Sequence, residues 1–129
     1  MSELYTKVSD SELKIMKILW QEDKPIKLAD IRKKITPLTG WEGVMVKTLL
    51  YRLVEKGVVS SEKKDAFYFT PNISEQDYNQ YATNSFVEKL YDGNVKNLVA
   101  TLIDGNKISE EDIAELRAMF KVAKGKTGD

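Results

Sequence analysis

Three short helical patterns followed by two strand-like segments occupy residues 9–70, and this order constrains the fold more than any other feature of the chain. The tetrapeptide Ser9–Glu12 has the sequence of a capping box, and apolar residues recur at helical spacing after it. A second apolar stripe, over residues 28–35, is expected to end before Pro37, because the residue preceding a proline is driven out of helical geometry. Residues 36–40 are then the predicted turn.

A third helical pattern runs over residues 42–56, and Gly57 is expected to close it as a left-handed cap. The strand-like segments 58–61 and 66–70 are separated by four polar residues, which predicts a β-hairpin. Residues 25–27 are predicted to form an extended link between the first two helices. Three helices and a hairpin in this order are typical of a winged helix-turn-helix domain.

Apolar residues recur at helical spacing through the remainder of the chain. Pro71–Asn72 marks a boundary, and Ser74 caps a helix that is expected to break at residues 92–94. A second helix follows from Val95, and the capping box Ser109–Asp112 starts a third.

The predicted fold class is therefore α+β: mainly α-helical, with one small β-hairpin and a C-terminal helical region. At 129 residues the chain has room for one compact domain and an extension. The expected regions are a winged helix-turn-helix domain at 1–71, a helical region at 72–123 and a flexible tail at 124–129.

The composition excludes most catalytic chemistry. The chain has no Cys and no His, which removes disulfides, thiolate metal sites and imidazole acid–base catalysis together. It also lacks a convergent carboxylate pair and a glycine-rich phosphate loop, so we expect neither an enzyme nor a metal or other cofactor. No long apolar run is present, which predicts neither a membrane span nor a signal peptide, and the absence of Cys fits the cytoplasm.

Charge is distributed unevenly, although the net charge of the whole chain is zero. Residues 1–70 contain 13 Lys and Arg against 10 Asp and Glu, whereas residues 71–129 contain 7 against 10. The first region is mildly basic, which favours a nucleic-acid partner weakly.

The outward face of the third helix is the strongest candidate for DNA binding. Side chains in the N-terminal part of a recognition helix contact base edges, and cations farther along contact phosphates. The candidate residues are Gly43, Val44, Met45, Lys47, Thr48, Tyr51, Arg52 and Lys56. Lys63 and Lys64, predicted at the hairpin tip, would lie along the DNA backbone or minor groove. The alternative is an ordinary solvated helix face and a polar turn. Trp41 is expected to be a packing residue rather than a base-stacking platform.

Several separated motifs resemble the penicillinase-repressor family, which includes BlaI and MecI and has the copper-responsive CopY repressors as cousins. The resemblance covers about residues 5–120. It is carried by Trp41, Lys47–Leu50, Arg52–Leu53, Lys56–Gly57, Phe86–Gly93, Asn97–Val99 and Ile108–Leu116.

This resemblance implies a cytoplasmic winged-helix repressor that dimerises through its C-terminal helices and binds a near-palindromic double-stranded DNA operator. Lys47 stands where the family commonly has Arg, and Thr48 and Arg52 match the family's own residues. The segment Glu42–Met45 departs from the Ser-Pro-Lys-Thr usual in antibiotic-responsive members, which leaves the operator sequence open. The expected dimerisation residues are Tyr78, Tyr81, Phe86, Leu90, Val95, Leu98, Val99, Leu102, Ile113, Leu116 and Phe120.

The resemblance leaves the release mechanism open. Antibiotic-responsive members are cleaved at an Asn-Phe bond downstream of a membrane sensor, and Thr101–Leu102 is its counterpart here. The copper-responsive branch requires a Cys-rich tail, which is absent. A membrane sensor or protease pathway and a small-molecule inducer therefore stay open, and the alternative function is a winged-helix module that binds protein instead of DNA.

Overall fold

The computed structural model describes residues 8–127, which form two compact units. The first unit runs to Thr83 and the second begins at Asn84. No helix in the described part is long and apolar enough to cross a membrane.

Six helices and three short strands follow one another along the described chain. The helices are α1 (Asp10–Trp20), α2 (Leu28–Thr39), α3 (Gly43–Glu55), α4 (Glu75–Tyr91), α5 (Val95–Asp104) and α6 (Glu110–Thr127). The strands are β1 (Ile26–Lys27), β2 (Val59–Lys63) and β3 (Phe67–Pro71). The predicted class, mainly α-helical with a small β element, is confirmed.

The capping box predicted in front of α1 is present. The Glu12 amide donates to Ser9 Oγ at 3.2 Å, and the Ser9 amide donates to Glu12 Oε1 at 2.9 Å. These two bonds satisfy amides that the first helical turn leaves without partners, which fixes where the helix begins.

One apolar core holds α1, α2, α3 and the sheet together. Each helix contributes the stripe that its sequence spacing predicts, and the hairpin contributes its inward residues. The fully buried apolar members are Ile15, Met16, Leu19, Ile31, Ile35, Val46, Leu49, Leu50, Leu53, Val58 and Val59. Trp41 is partly buried against this core, as expected of a packing residue.

The hairpin is accompanied by a third strand that the sequence pattern did not predict. Strand β1, expected to be only an extended link, pairs antiparallel with β3 and gives the strand order β1-β3-β2. Ile26 lies opposite Phe69, and both side chains are buried. Two residues are too few for a periodicity signal, so only the tertiary pairing identifies the strand.

The hairpin is longer at its tip than predicted. Glu62 and Lys63 lie within β2, where Lys63 is opposite Phe67, and the turn is confined to residues 64–66. Both side chains are exposed, so their polarity is compatible with a strand at the sheet edge.

The expected end of α2 before Pro37 is wrong, because the helix continues to Thr39. Pro37 has no amide hydrogen to donate, but other groups donate hydrogen bonds to the last carbonyls of the helix. The Gly40 amide donates to the Thr36 carbonyl at 2.7 Å with φ at +76°, and the Thr39 hydroxyl donates to the Ile35 carbonyl at 2.9 Å. The helix therefore ends at the left-handed Gly40.

The first unit extends past the boundary predicted at Pro71–Asn72, because the beginning of α4 packs on its core. The Trp20 indole N–H donates to the Ile73 carbonyl at 2.9 Å. The Trp20 and Tyr78 rings lie with centroids 5.6 Å apart, and Tyr78 belongs to the buried cluster.

The second unit consists of the end of α4 together with α5 and α6. Asn94 and Ser109 cap α5 and α6, and the Ser109 amide and Asp112 carboxylate complete the predicted capping box. Among the described residues after Thr83, only Val87 is buried. The chain expected to fray from Gly125 is helical through Thr127, and residues 128 and 129 of that predicted tail lie outside the described residues.

Candidate nucleic-acid interface

Helix α3 has one buried face and one exposed face. Its buried face consists of Val46, Leu49, Leu50 and Leu53. The opposite face carries exposed residues of the predicted DNA-binding set, namely Val44, Met45, Lys47, Thr48, Tyr51 and Arg52. The structure therefore brings these six residues together on one surface, as the helical spacing predicted.

The first turn of α3 is the most exposed apolar part of this surface. Val44 is 80 % exposed and Met45 is 39 % exposed. Glu42 is the N-cap residue, but its side chain makes no capping hydrogen bond. The first-turn amides of α3 therefore receive no hydrogen bond from the Glu42 side chain.

Arg32 of α2 lies against the beginning of α3. A Cβ atom built on Gly43 would be 2.9 Å from Arg32 Cζ, so the guanidinium occupies space that any other residue at position 43 would fill. One shallow depression is lined by Leu28, Arg32, Glu42, Gly43, Val44 and Lys47. Arg32 was not among the predicted contacts. The glycine at the start of the helix was the available signal, since glycine permits close approach of a neighbouring group.

The polar side chains of α3 are oriented by contacts within the helix. The Thr48 hydroxyl donates to the Val44 carbonyl at 2.8 Å, so its proton is already used. Lys47 Nζ lies 5.6 Å from the centroid of the Tyr51 ring, one turn farther along. Thr48 is thus left with acceptor capacity and its methyl group, and the Lys47 ammonium is directed toward the following turn.

Lys56, predicted to contact a phosphate, is held by an ion pair instead. Its Nζ lies 2.6 Å from Glu12 Oε1, and Glu12 is only 2 % exposed. Burial raises the pKa of Glu12, but the hydrogen bonds from Lys56 and from the Ser9 amide outweigh burial and leave the pKa below its ordinary value. The charge of Lys56 is therefore compensated inside the protein, and we remove it from the DNA-binding set.

The hairpin, which we call the wing (residues 59–71), carries its two predicted cations at its far end. Lys63 Nζ lies 5.6 Å from the centroid of the Phe67 ring, and Lys64 Nζ lies 3.7 Å from Glu62 Oε1. Both lysines are exposed. Only Lys64 lies in the turn, because β2 includes Lys63.

The base of the wing is fixed to the end of α3. Asn72 Nδ2 donates to the Gly57 carbonyl at 2.9 Å, and Ser60 Oγ donates to Asn72 Oδ1 at 2.8 Å. Gly57 has a φ of +80°, which confirms the predicted left-handed cap. Asn72 therefore ties the base of the wing to the C-terminal end of α3.

The predicted dimerisation residues divide into two groups. Tyr78 is 9 % exposed in the core of the first unit, so we remove it from the set because little of its surface is left for a partner. Tyr81 is half-buried in the same unit. The nine others lie in the second unit, where Phe86, Leu90, Val95, Leu116 and Phe120 are exposed and Leu98, Val99, Leu102 and Ile113 are half-buried.

The candidate cleavage position lies within regular helix. Thr101 and Leu102 are both inside α5, and the Thr101 hydroxyl donates to the Asn97 carbonyl at 3.0 Å. A protease needs an extended substrate, so α5 would have to unwind before this bond could be cut.

Comparison with known proteins identifies the family. The family model described as "Penicillinase repressor" matches residues 8–121. The chain is similar to the penicillinase repressor of Bacillus licheniformis, with 30 % identity over 120 residues that cover 92 % of this chain and 93 % of that protein. It is also similar to the methicillin resistance regulatory protein MecI of Staphylococcus aureus strain N315, with 27 % identity covering 85 % of this chain and 89 % of MecI.

Two solved structures each resemble part of the chain. One is the solution structure of the DNA-binding domain of the repressor BlaI, with a TM-score of 0.51. The other is the monomeric form of B. licheniformis BlaI in complex with the blaP half-operator, with a TM-score of 0.50. Each is 34 % identical and covers 56 % of this chain and 88 % of the other. The extent of the family match and the agreement in fold lead to one conclusion: this chain belongs to the penicillinase repressor family.

Proposed function

We propose that this chain is a dimeric transcriptional repressor that inserts α3 into the major groove of a double-stranded DNA operator. The observation that carries the proposal is the exposed face of α3, where apolar and cationic side chains project from a helix whose other face is buried in the core. A related winged-helix structure, that of BlaI, was solved with a half-operator, which supports the same use of this surface.

The proposed contacts are of two kinds, those with base edges and those with phosphates. Val44, Met45, Lys47, Thr48 and Tyr51 face the base edges, because they occupy the first turns of the recognition helix. Arg32 and Arg52 contact phosphates on either side, and Lys64 at the wing tip contacts the backbone farther along. Phosphate contacts fix the position of the helix, whereas base contacts determine which sequence is bound.

Dimerisation supplies the second half of the operator contact. The second unit exposes several large apolar residues, among them Phe86, Leu90, Val95, Leu116 and Phe120, and apolar residues exposed together usually mark an interface. A two-fold dimer requires half-sites with matching symmetry, spaced by about 10 bp or a multiple of it. We therefore expect a near-palindromic operator, which footprinting on a selected DNA fragment would reveal. Protection of a single asymmetric site by one subunit would contradict this expectation.

The contact assignment is tested by substitution on the exposed face of α3. Lys47→Ala is expected to weaken operator binding by about 1–3 kcal/mol if the lysine contacts a base, whereas Arg52→Ala and Arg32→Ala should weaken binding to all DNA sequences alike. The measurement is fluorescence anisotropy with a duplex selected by the protein from a random-sequence pool, together with a random duplex.

Lys107→Ala is the matched control, because Lys107 is an exposed lysine in the loop between α5 and α6. It should bind like the wild type. A salt titration separates the proposal from the alternative of a protein-binding module, since phosphate contacts make affinity fall steeply with salt. Equal operator binding by wild type and all three interface variants would refute the groove assignment.

A further inference from the structure

We propose that the first turn of α3 recognises the C5-methyl groups of thymine, so that each half-operator presents a T·A pair to Val44 and Met45. The inference rests on the proposed function and specifies which DNA that function selects.

The position of the two side chains is the first argument. Val44 is 80 % exposed and Met45 is 39 % exposed in the turn of the helix that penetrates deepest into a major groove. Large apolar side chains are unfavourable in water, so their exposure at this point is explained if they are covered in the complex.

The surrounding charges identify the partner that covers them. The Arg32 guanidinium lies against Gly43, and Lys47 and Glu42 line the same depression as Val44, so that two cations stand against one carboxylate. An apolar protein partner would bury two cations beside a single carboxylate, so that at least one charge would lack compensation, which is costly. A DNA duplex instead offers phosphates to the cations and base edges to the apolar tip, so charge complementarity favours DNA.

The chemistry of the base edges leaves one target for the apolar side chains of Val44 and Met45. Guanine, adenine and cytosine present hydrogen-bond donors and acceptors in the major groove, and thymine adds a methyl group to its acceptor. Neither a valine side chain nor a methionine side chain can donate a hydrogen bond, so the discriminating contact available to them is apolar contact with that methyl group.

Thr48 supports the same assignment. Its hydroxyl proton is donated to the Val44 carbonyl at 2.8 Å, and while this bond is kept the hydroxyl does not donate to a guanine or to the N7 of adenine. Its remaining groups are acceptor lone pairs and a methyl group. The acceptor suits the exocyclic amine of adenine or cytosine, and the methyl group extends the apolar surface begun by Val44.

The test compares thymine with deoxyuridine, which lacks only the methyl group. Full-length protein selects a duplex from a random-sequence pool, and each thymine of a half-site is then replaced singly by deoxyuridine. We expect one or two positions per half-site at which the replacement weakens binding about fourfold, the value for losing one buried methyl group. Replacement outside the footprint should change nothing.

Two variants assign the effect to α3. In Val44→Ala the ratio of thymine to deoxyuridine affinity should fall toward one at the sensitive position, because the contacting side chain is shortened. In Arg52→Ala the affinity for both duplexes should fall while their ratio is preserved, since a phosphate contact does not sense a base methyl group. Circular dichroism of both variants checks that they are folded.

The outcomes distinguish this inference from the function on which it rests. A selected operator with no thymine facing α3, or one whose affinity is unchanged by every deoxyuridine replacement, overturns the methyl contact and leaves the repressor function standing. Retention of the full thymine preference by Val44→Ala with no change in Met45→Ala would overturn it as well. Failure to enrich any DNA sequence would refute the operator-binding function itself.

Discussion

Glu12 performs two structural roles at once. Its carboxylate completes the capping box of α1 by accepting from the Ser9 amide, and the same oxygen accepts from Lys56 at the end of α3. The sequence predicted the first role because a capping box is a local motif. It could not predict the second, since the ion pair joins residues 44 positions apart. Lys56 was interpreted as a phosphate contact because helical spacing indicates only the face of the helix on which a side chain lies. The spacing does not indicate which distant group that side chain contacts.

We expect Glu12→Gln to destabilise the protein by about 1–3 kcal/mol at pH 7, because a buried acceptor loses its charge and its ion pair with Lys56 is lost. The pKa of Glu12 is below its ordinary value of 4.5 in the folded chain. Its ionised form therefore contributes stability that is present above the unfolded pKa and is lost as the pH falls through the folded pKa. Urea unfolding measures the free energy of unfolding of the wild type and of Glu12→Gln. The difference between these two free energies should be smaller at about pH 3 than at pH 7.

Glu55→Gln is the control for this experiment, because Glu55 is an exposed carboxylate of α3. It should change the free energy of unfolding by no more than about 0.5 kcal/mol at either pH. A Glu12→Gln variant as stable as the wild type at pH 7 would show that the ion pair makes no net contribution.

At the scale of whole elements, the apolar periodicity identified all six helices and the hairpin, whereas their ends depended on tertiary contacts. Helix α2 passes through Pro37 because Thr39 and Gly40 satisfy its last carbonyls, and a proline rule applied to sequence alone cannot include those bonds. Strand β1 exists only because Ile26 meets Phe69 across the sheet. Gly57 marked the end of α3 correctly, whereas α6 continues through Gly125, where the sequence predicted fraying.

Two glycines should respond to alanine substitution with opposite signs. Gly57 has a φ of +80°, which an alanine adopts only with strain, so Gly57→Ala should destabilise the protein by about 1–2 kcal/mol. Gly125 lies within α6 with no atom within 4 Å of an added Cβ, so Gly125→Ala should leave stability unchanged or raise it by up to about 1 kcal/mol. Thermal unfolding followed by circular dichroism measures both. A destabilised Gly125→Ala or a neutral Gly57→Ala would contradict the backbone argument.

For the molecule as a whole, the two units differ in how completely they bury their apolar residues. The first unit encloses a continuous core, from Ile15 in α1 to Tyr78 at the start of α4. In the second unit no residue of α5 is buried, and Phe120 of α6 is 64 % exposed. The sequence predicted these apolar stripes correctly, but a stripe on a helix specifies neither the partner that covers it nor the geometry of that contact. This contrast between the units favours a dimer in which a second copy covers the exposed residues of the second unit.

Removal of the residues after Asp92 should separate folding from dimerisation. The truncated chain keeps the whole core of the first unit, so we expect a cooperatively folded protein with helical circular dichroism. It loses α5 and α6, so light scattering should show a monomer at concentrations where the full chain is a dimer. Operator affinity should fall by ~10²–10⁴. In the dimer, binding of one subunit holds the second DNA-binding unit near its half-site at about millimolar local concentration, and the truncated chain loses this link. Affinity for a single half-site should be almost unchanged, since α3 and the wing remain intact.

A truncated protein that still dimerises would place the interface in the first unit. A full-length protein that is monomeric at micromolar concentration would leave the exposed stripes of α5 and α6 for another partner.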